Sequence, residues 1–247
     1  TQRAYPIFRP HFKGEMRGIY SQALVLMGAT ALSLLARAGG VRLPALLAWV
    51  SLAMQLSFLR LSRPGIPFPY VAGANDNATA VACLLGIAAV LRETPLRDTE
   101  VWLCFTGAEE VGMLGVHALL DAYGNELRDA QFIDFEMVGS AEVAYLTRHS
   151  SLTFFHAYTP DPGSLALAQR TAAAHPELQI GARELVIFEE VAALRQRGFA
   201  GLCIAGIGPD GWLENWHLPS DVSANITPNG VERAARFGLA LLQTLDG

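Results

Sequence analysis

The sequence predicts an α/β fold, and three observations carry that expectation. Short apolar runs rich in β-formers alternate with stretches of helical periodicity through the C-terminal two thirds of the chain. Carboxylates fall at the ends of those runs: Glu109 and Glu110 follow Val101–Phe105, and Asp134 and Glu136 close the run from Gln131 to Val138. In open α/β sheets the carboxyl edge of the strands is where ligands bind. Finally, 247 residues that are 51% hydrophobic and only 17% charged suffice to bury the core of one catalytic domain.

Taken in order, residues 1–17 read as an N-terminal segment. The chain starts at Thr1 without a methionine or a signal-peptide pattern, so it is expected to be a processed or truncated piece of something longer. His11, in Arg9-Pro10-His11-Phe12-Lys13, reads as a surface-loop histidine. Residues 18–63 depart most from an ordinary soluble enzyme. No charge occurs from Ile19 to Ala36 or from Leu43 to Leu59, while Lys13, Arg17, Arg60 and Arg63 flank the pair and Arg37 and Arg42 mark the turn. That is the pattern of an apolar helical hairpin, each arm approaching the length of a membrane span. The alternative is two buried helices or an apolar face for a partner. Membrane association through residues 18–63 is the expectation, with the catalytic domain extracytoplasmic. Arg63-Pro64-Gly65-Ile66-Pro67-Phe68-Pro69 is a stiff linker leading into a catalytic domain over 64–247.

Gly73-Ala74-Asn75-Asp76-Asn77-Ala78 opens that domain, and Asp76 sits where the loop gives way to a helix carrying Val81, Leu84, Leu85, Ala88 and Leu91. Val101–Phe105 reads as a buried strand delivering Glu109 and Glu110. Acidic groups gathered at one edge are expensive to desolvate unless a cation shares the site, and a divalent metal is the natural partner. Adjacent glutamates point in different directions, so one can ligate while the other acts as a base. Alone, such a pair is simply a helix start favoured by the dipole. The next helix, from Gly112 to Tyr123, is expected to turn Leu114, Ala118 and Leu119 inward. His117 on it lacks an i+4 partner histidine.

Alternation along Gln131–Val138 puts Asp134 and Glu136 on one face, as metal-site residues or as a structural pair with an arginine. Val143–Leu146 reads as a strand and Arg148-His149-Ser150-Ser151 as a loop. No G-x-S-x-G elbow occurs, so the adjacent Ser and His carry no serine-hydrolase reading. His156 and His175 fall in Pro-punctuated loops and are expected to be solvated. A helix over Ser164–Ala174, strands over Glu184–Phe188 and Phe199–Ala205, and a final helix from Thr227-Pro228 to Leu245 continue the alternation. Glu189 and Glu190 are explained as negative charge at a helix start. The loop from Gly206 to Trp212 lacks a following Lys and reads as a pocket wall, not a phosphate cradle. In Trp216-His217-Leu218-Pro219-Ser220-Asp221, His217 is a candidate metal ligand that Asp221 could orient. Cys83, Cys104 and Cys203 are odd in number and lie in apolar runs, as buried thiols do. A net charge of -5 gives no footprint for nucleic acid.

Three motifs in this order, Gly-Ala-Asn75-Asp76-Asn77, Glu109-Glu110 and His217-x-Pro219-x-Asp221, resemble the co-catalytic zinc peptidase family of secreted bacterial leucine aminopeptidases, glutamate carboxypeptidases and glutaminyl cyclases. The resemblance covers about residues 68–247 and implies a central mixed β-sheet flanked by helices, with the hairpin as an insertion. By position it implies that Glu109 is the base and that Asp76, Glu110 and His217 hold one zinc. Asp76 would bridge to a second zinc with Glu136, which stands where the family has an aspartate. Asp134 and Asp221 would support the ligands. The family's His-x-Asp motif does not occur before Asp76, which leaves a second ion short of a ligand; Thr1 is expected to follow just after it in a longer protein. The implied activity is an aminopeptidase acting on a peptide with a free N-terminus. The alternatives are a single-zinc glutaminyl cyclase-like enzyme and a non-catalytic membrane-associated binding module that keeps the peptidase fold.

Overall fold

The computed structural model describes residues 16–40, 49, 52–53, 55–56, 70–150, 157–185 and 187–247. The segment 1–15 with His11, the linker 63–69 and His156 lie outside the described residues. So does most of the second hairpin arm. The first arm is α1, Met16–Ala38, whose 23 residues span about 35 Å. Its Met27, Leu32, Leu34 and Leu35 are exposed. Where the second arm is described it is helical, and Gln55 Nε2 donates to Thr30 Oγ1 across the two arms at 3.0 Å.

Four strands form a mixed sheet in the order β1-β6-β2-β5: β1 is Gln131–Glu136, β2 Glu142–Leu146, β5 Gly181–Arg183 and β6 Ala200–Ile207. β1 runs parallel to β6 and β2 parallel to β5, while β2 and β6 are antiparallel. A short pair, β3 (His149–Ser150) and β4 (Ala157–Tyr158), stands apart. Helices cover both faces: α2 (Thr79–Glu93), α4 (Pro162–Ala174) and α6 (Pro228–Asp246) on one, α3 (Leu114–Tyr123) and α5 (Glu190–Gln196) on the other. The first layer buries Cys83, Ile87, Leu167, Ala234, Phe237 and Leu241 against Phe135, Leu202 and Ile204. The second buries Val116, Leu120, Val191 and Leu194 against Cys203 and Ala205. The sheet period of two decides which side chain meets which layer. Asp134 and Glu136 therefore share the α3/α5 face with Cys203 and Ala205.

Several elements differ from the sequence reading. Val101–Phe105 forms no strand. A groove of about 670 Å³, lined by both this segment and β1, keeps the two backbones from pairing, and Trp102 and Phe105 are exposed. The inward face of α3 is Val116 and Leu120, continuing from the fully buried Met113, while Leu114 and Ala118 face out. The strand expected at Glu184–Phe188 is replaced by β5 three residues earlier and one bridge between His149 and Ile187. His149, expected in a loop, lies in β3 and is wholly buried. Cys83 and Cys203 are buried as expected, whereas Cys104 is half-buried. Among the described residues the stretch Ala74–Glu93 is long and apolar enough to cross a membrane, yet its Cys83 thiol donates to Val231 O of α6 and Ile87 lies in the core, so it serves as a core helix.

Capping explains where α4 begins. Asp161 Oδ1 accepts from the Ser164 N–H at 3.0 Å, with Pro162 at the first helical position. Burial opposes ionisation of Asp161, but the Ser164 hydroxyl and N–H outweigh it and hold the carboxyl below its ordinary value. Asp161→Ala is expected to cost about 1 kcal/mol in urea unfolding at neutral pH. Because the folded pKa is the lower one, the contribution is present above about pH 4 and fades as the pH falls through the folded value.

Candidate metal centre

The site is built on backbone that L-residues seldom adopt. Ala108 (φ 58), Met137 (φ 48), Asn215 (φ 62) and His217 (φ 53) all lie in the left-handed region, and each is, or stands within two residues of, a candidate site residue. Such outliers persist only where surrounding contacts fix them. Glu109 and Glu110 begin a single turn, Glu109–Val111, between left-handed Ala108 and Gly112. The Asp76–Asn77 peptide is cis.

Asn75 and Asp221 lock the Asp76 loop in place. Asn75 Oδ1 accepts from the Gly139 N–H at 2.8 Å and Asn75 Nδ2 donates to Glu214 O at 2.9 Å. Asp221, fully buried, accepts from the Asn75 N–H at 2.5 Å and the Asp76 N–H at 3.3 Å. Asp221 was expected to orient His217; these bonds commit it to the Asp76 backbone. The residue that flanks the imidazole is Trp216, stacked on it at 4.2 Å between centroids and 22° between planes. Trp212, expected in a pocket wall, is buried and meets Trp216 edge-on at 6.1 Å. Asn77 reaches across to β1: its Nδ2 donates to Glu136 Oε2 at 3.1 Å, and its Oδ1 accepts from the Met137 N–H at 3.1 Å. Neither Asn75, Asn77 nor Trp216 was singled out by the sequence, although the two asparagines lie within the first motif and Trp216 adjoins the third.

These constraints bring Asp76, Glu110 and His217 together, with one potential ligand atom from each lying within 4.8 Å of the others. His217 Nε2 is 3.1 Å from Glu110 Oε1 and 3.6 Å from Asp76 Oδ2. One imidazole nitrogen and two carboxylate oxygens match a three-ligand zinc site with an open fourth position. Glu109 is half-buried beside them. Its carboxyl is pushed up to about 8 by burial first, then by the charges of Glu110, Asp76, Glu190 and Glu189. Glu136 is also held well above the ordinary range, by burial and then by Asp76 and Asp134. Among the described residues no histidine joins Asp76 and Glu136 as a third ligand. Asp134 faces Cys203 and not an arginine.

Gly139 fits this lock because it has no side chain. A Cβ there would lie 2.6 Å from Asn75 Oδ1 and 2.8 Å from Thr79 Cγ2. Gly139→Ala is expected to destabilise the chain by roughly 1–3 kcal/mol and to weaken zinc binding about tenfold or more through Asn75, read by urea unfolding and competition with a chromophoric chelator.

A mixed sheet between helical layers, with acids and a histidine converging at motif turns, defines a metallopeptidase fold. The chain belongs to peptidase family M28, whose profile matches residues 61–242. LapB from Legionella pneumophila is similar with a TM-score of 0.57 at 13% identity, over 71% of this chain and 48% of that one. BSAP, a zinc aminopeptidase from Bacillus subtilis, gives 0.51 at 18% over 70% and 42%, and Porphyromonas gingivalis glutaminyl cyclase 0.50 at 19% over 74% and 66%. At such identities the likeness shows the fold alone, and the chain spans about half the length of the first of these structures. No protein of curated function matches the sequence.

Proposed function

We propose that the chain is the catalytic part of a zinc-dependent exopeptidase, acting as an aminopeptidase on peptides with a free N-terminus. The observation that carries this reading is the convergence of Asp76, Glu110 and His217 within 4.8 Å, next to a carboxyl that burial and charge have made basic. Both zinc aminopeptidases and a glutaminyl cyclase share the fold. Zinc held by these three side chains would supply Lewis acidity to a water and to the scissile carbonyl. Glu109 takes the proton from the attacking water and returns it to the leaving amine, a task suited to a pKa near neutrality. Trp216 restricts the His217 ring, and Asp221 with Asn75 fixes the backbone from which Asp76 projects. Glu136 would be available to a second ion shared through Asp76. We place the domain at a membrane through residues 18–63, supported by the exposed apolar residues of α1.

The test is zinc per chain with turnover on aminoacyl and on N-terminal glutaminyl substrates, for the wild type and His217→Ala. Aminoacyl hydrolysis with at least one zinc, and both lost in His217→Ala, is the expected result. Cyclisation without hydrolysis would assign the single-zinc cyclase instead. Zinc binding without turnover of either would leave a binding module. Retention in the membrane pellet after carbonate extraction, lost on deleting residues 18–63, checks the location.

A further inference from the structure

Behind the Asp76 centre, on the α3/α5 face of the sheet, lies a second cluster that the proposed hydrolysis does not use. Asp134 of β1 and Cys203 of β6 are direct partners in the parallel register, so their side chains emerge side by side on one face. Glu189, the N-cap of α5, comes down onto them. Its Oε2 is held by the Val191 N–H at 2.7 Å. Its Oε1 pairs with His149 Nδ1. We propose that Asp134, Glu189 and Cys203 form a second divalent-cation site, distinct from Asp76–Glu110–His217, for a thiolate-preferring metal such as zinc.

Two independent observations support this. A carboxylate oxygen of each acid and the Cys203 sulfur lie within 4.8 Å of one another, close enough for one ion to reach all three. In addition, two buried polar atoms here have neither a hydrogen bond nor an ion pair, Asp134 Oδ2 and His149 Nε2, while Glu189 Oε1 is met by His149 Nδ1; Glu189 is 1% and His149 0% exposed. A buried, unpartnered oxygen is costly unless a cation satisfies it.

The charge pattern points the same way. Among the described residues no arginine or lysine makes an ion pair with Asp134, Glu189 or Glu190, and Glu189 pairs with His149. Burial and the neighbouring carboxylates also hold the Cys203 thiol well above its ordinary value, so in the metal-free chain the sulfur keeps its proton. A bound metal displaces that proton. A thiolate beside two carboxylates selects zinc over magnesium or calcium, which prefer all-oxygen sites. Asp134 and Glu190 line the groove of about 670 Å³ beside β1, which gives an ion a route from solvent. Occupied, the site would tie the start of α5 to β1 and β6.

Cobalt(II) titration of the full chain carrying Cys83→Ser and Cys104→Ser tests this, because Cys203 is then the one thiol left. A sulfur-to-cobalt charge-transfer absorption in the near ultraviolet is expected, saturating at one equivalent beyond any ion bound at His217. It should persist in His217→Ala on that background, and Glu189→Gln should weaken it at least tenfold in apparent affinity. Cobalt binding with no charge-transfer absorption in the Cys83/Cys104 double variant would overturn the proposal, as would undiminished affinity in Glu189→Gln. Since the absorption reports the sulfur alone, its absence leaves the peptidase reading untouched. Loss of turnover in His217→Ala leaves this site untouched in the same way.

Discussion

Glu109→Gln is expected to lower kcat by roughly two to four orders of magnitude while leaving zinc content unchanged. The amide keeps the volume of the carboxyl but cannot accept the proton, and Glu109 is not among the three side chains that converge as ligands. A general base works best with a pKa near the working pH, and burial together with Glu110 and Asp76 moves this carboxyl to about 8 from 4.5. That value describes the metal-free chain. A divalent cation between Asp76, Glu110 and His217 opposes the same charges and brings the carboxyl down, so that it is ionised and ready at neutral pH. The folded pKa lies above the unfolded one, so the metal-free fold gains from this group fully below about pH 4.5 and loses that gain as the pH rises through about 8. Zinc should flatten the dependence. Thermal unfolding across this range with and without zinc checks it, alongside kcat and metal content of the variant. Near-wild-type turnover in Glu109→Gln would remove the residue from the chemistry.

The layers of the fold were legible because they rest on local pattern. β1, β2, β6, α4 and α6 fall where apolar periodicity places them, and the alternation that puts Asp134 and Glu136 opposite Phe135 holds. What failed depends on partners distant in sequence. Val101–Phe105 has strand composition, but a strand needs a neighbour to pair with, and a groove lies between this segment and β1. Arg148-His149-Ser150-Ser151 looks like a loop by local composition, yet His149 pairs with Tyr158 in a short ladder, bridges Ile187 and meets Glu189. The inward face of α3 was misassigned because the fully buried Met113, just before the helix, sets its phase.

The candidate centre divides in the same way. Asp76, Glu109, Glu110 and His217 stood out as charged or ligating groups in tight motifs. The roles of Asn75 and Trp216 did not, because an asparagine among glycine and alanine reads locally as a turn residue. Only the fold reveals that Asn75 holds Gly139 and Glu214 together. Glu189 was adequately explained as a helix cap, which it is, through Val191. Its burial against His149 and near Cys203 arises from β6 and β3 and has no signature in its own segment.

Asp221→Ala is expected to cost about 3–4 kcal/mol of stability and to lower zinc affinity ten- to a hundredfold. The carboxylate is fully buried and accepts from two consecutive amides, Asn75 N–H at 2.5 Å and Asp76 N–H at 3.3 Å. Hydrogen bonds to a charged group contribute about 1.5–3 kcal/mol each, and truncation also strands both donors. Asp221→Asn separates the two effects. The amide can accept through one oxygen only, so one of the two N–H groups loses its acceptor, and a loss of about 2 kcal/mol is expected. The effect on zinc travels through the backbone. Asp76 projects from the very peptide that Asp221 anchors, so a loosened loop moves one of the three ligands while Glu110 and His217 stay. The Trp216–His217 stack at 4.2 Å should therefore survive, and tryptophan fluorescence of the metal-free variant should match the wild type below the unfolding transition. If Asp221 instead acted by orienting the imidazole, the substitution would disturb that stack first and the fluorescence would shift in the folded state. Urea midpoint, zinc affinity and fluorescence of the two variants together decide between a loop anchor and a histidine partner.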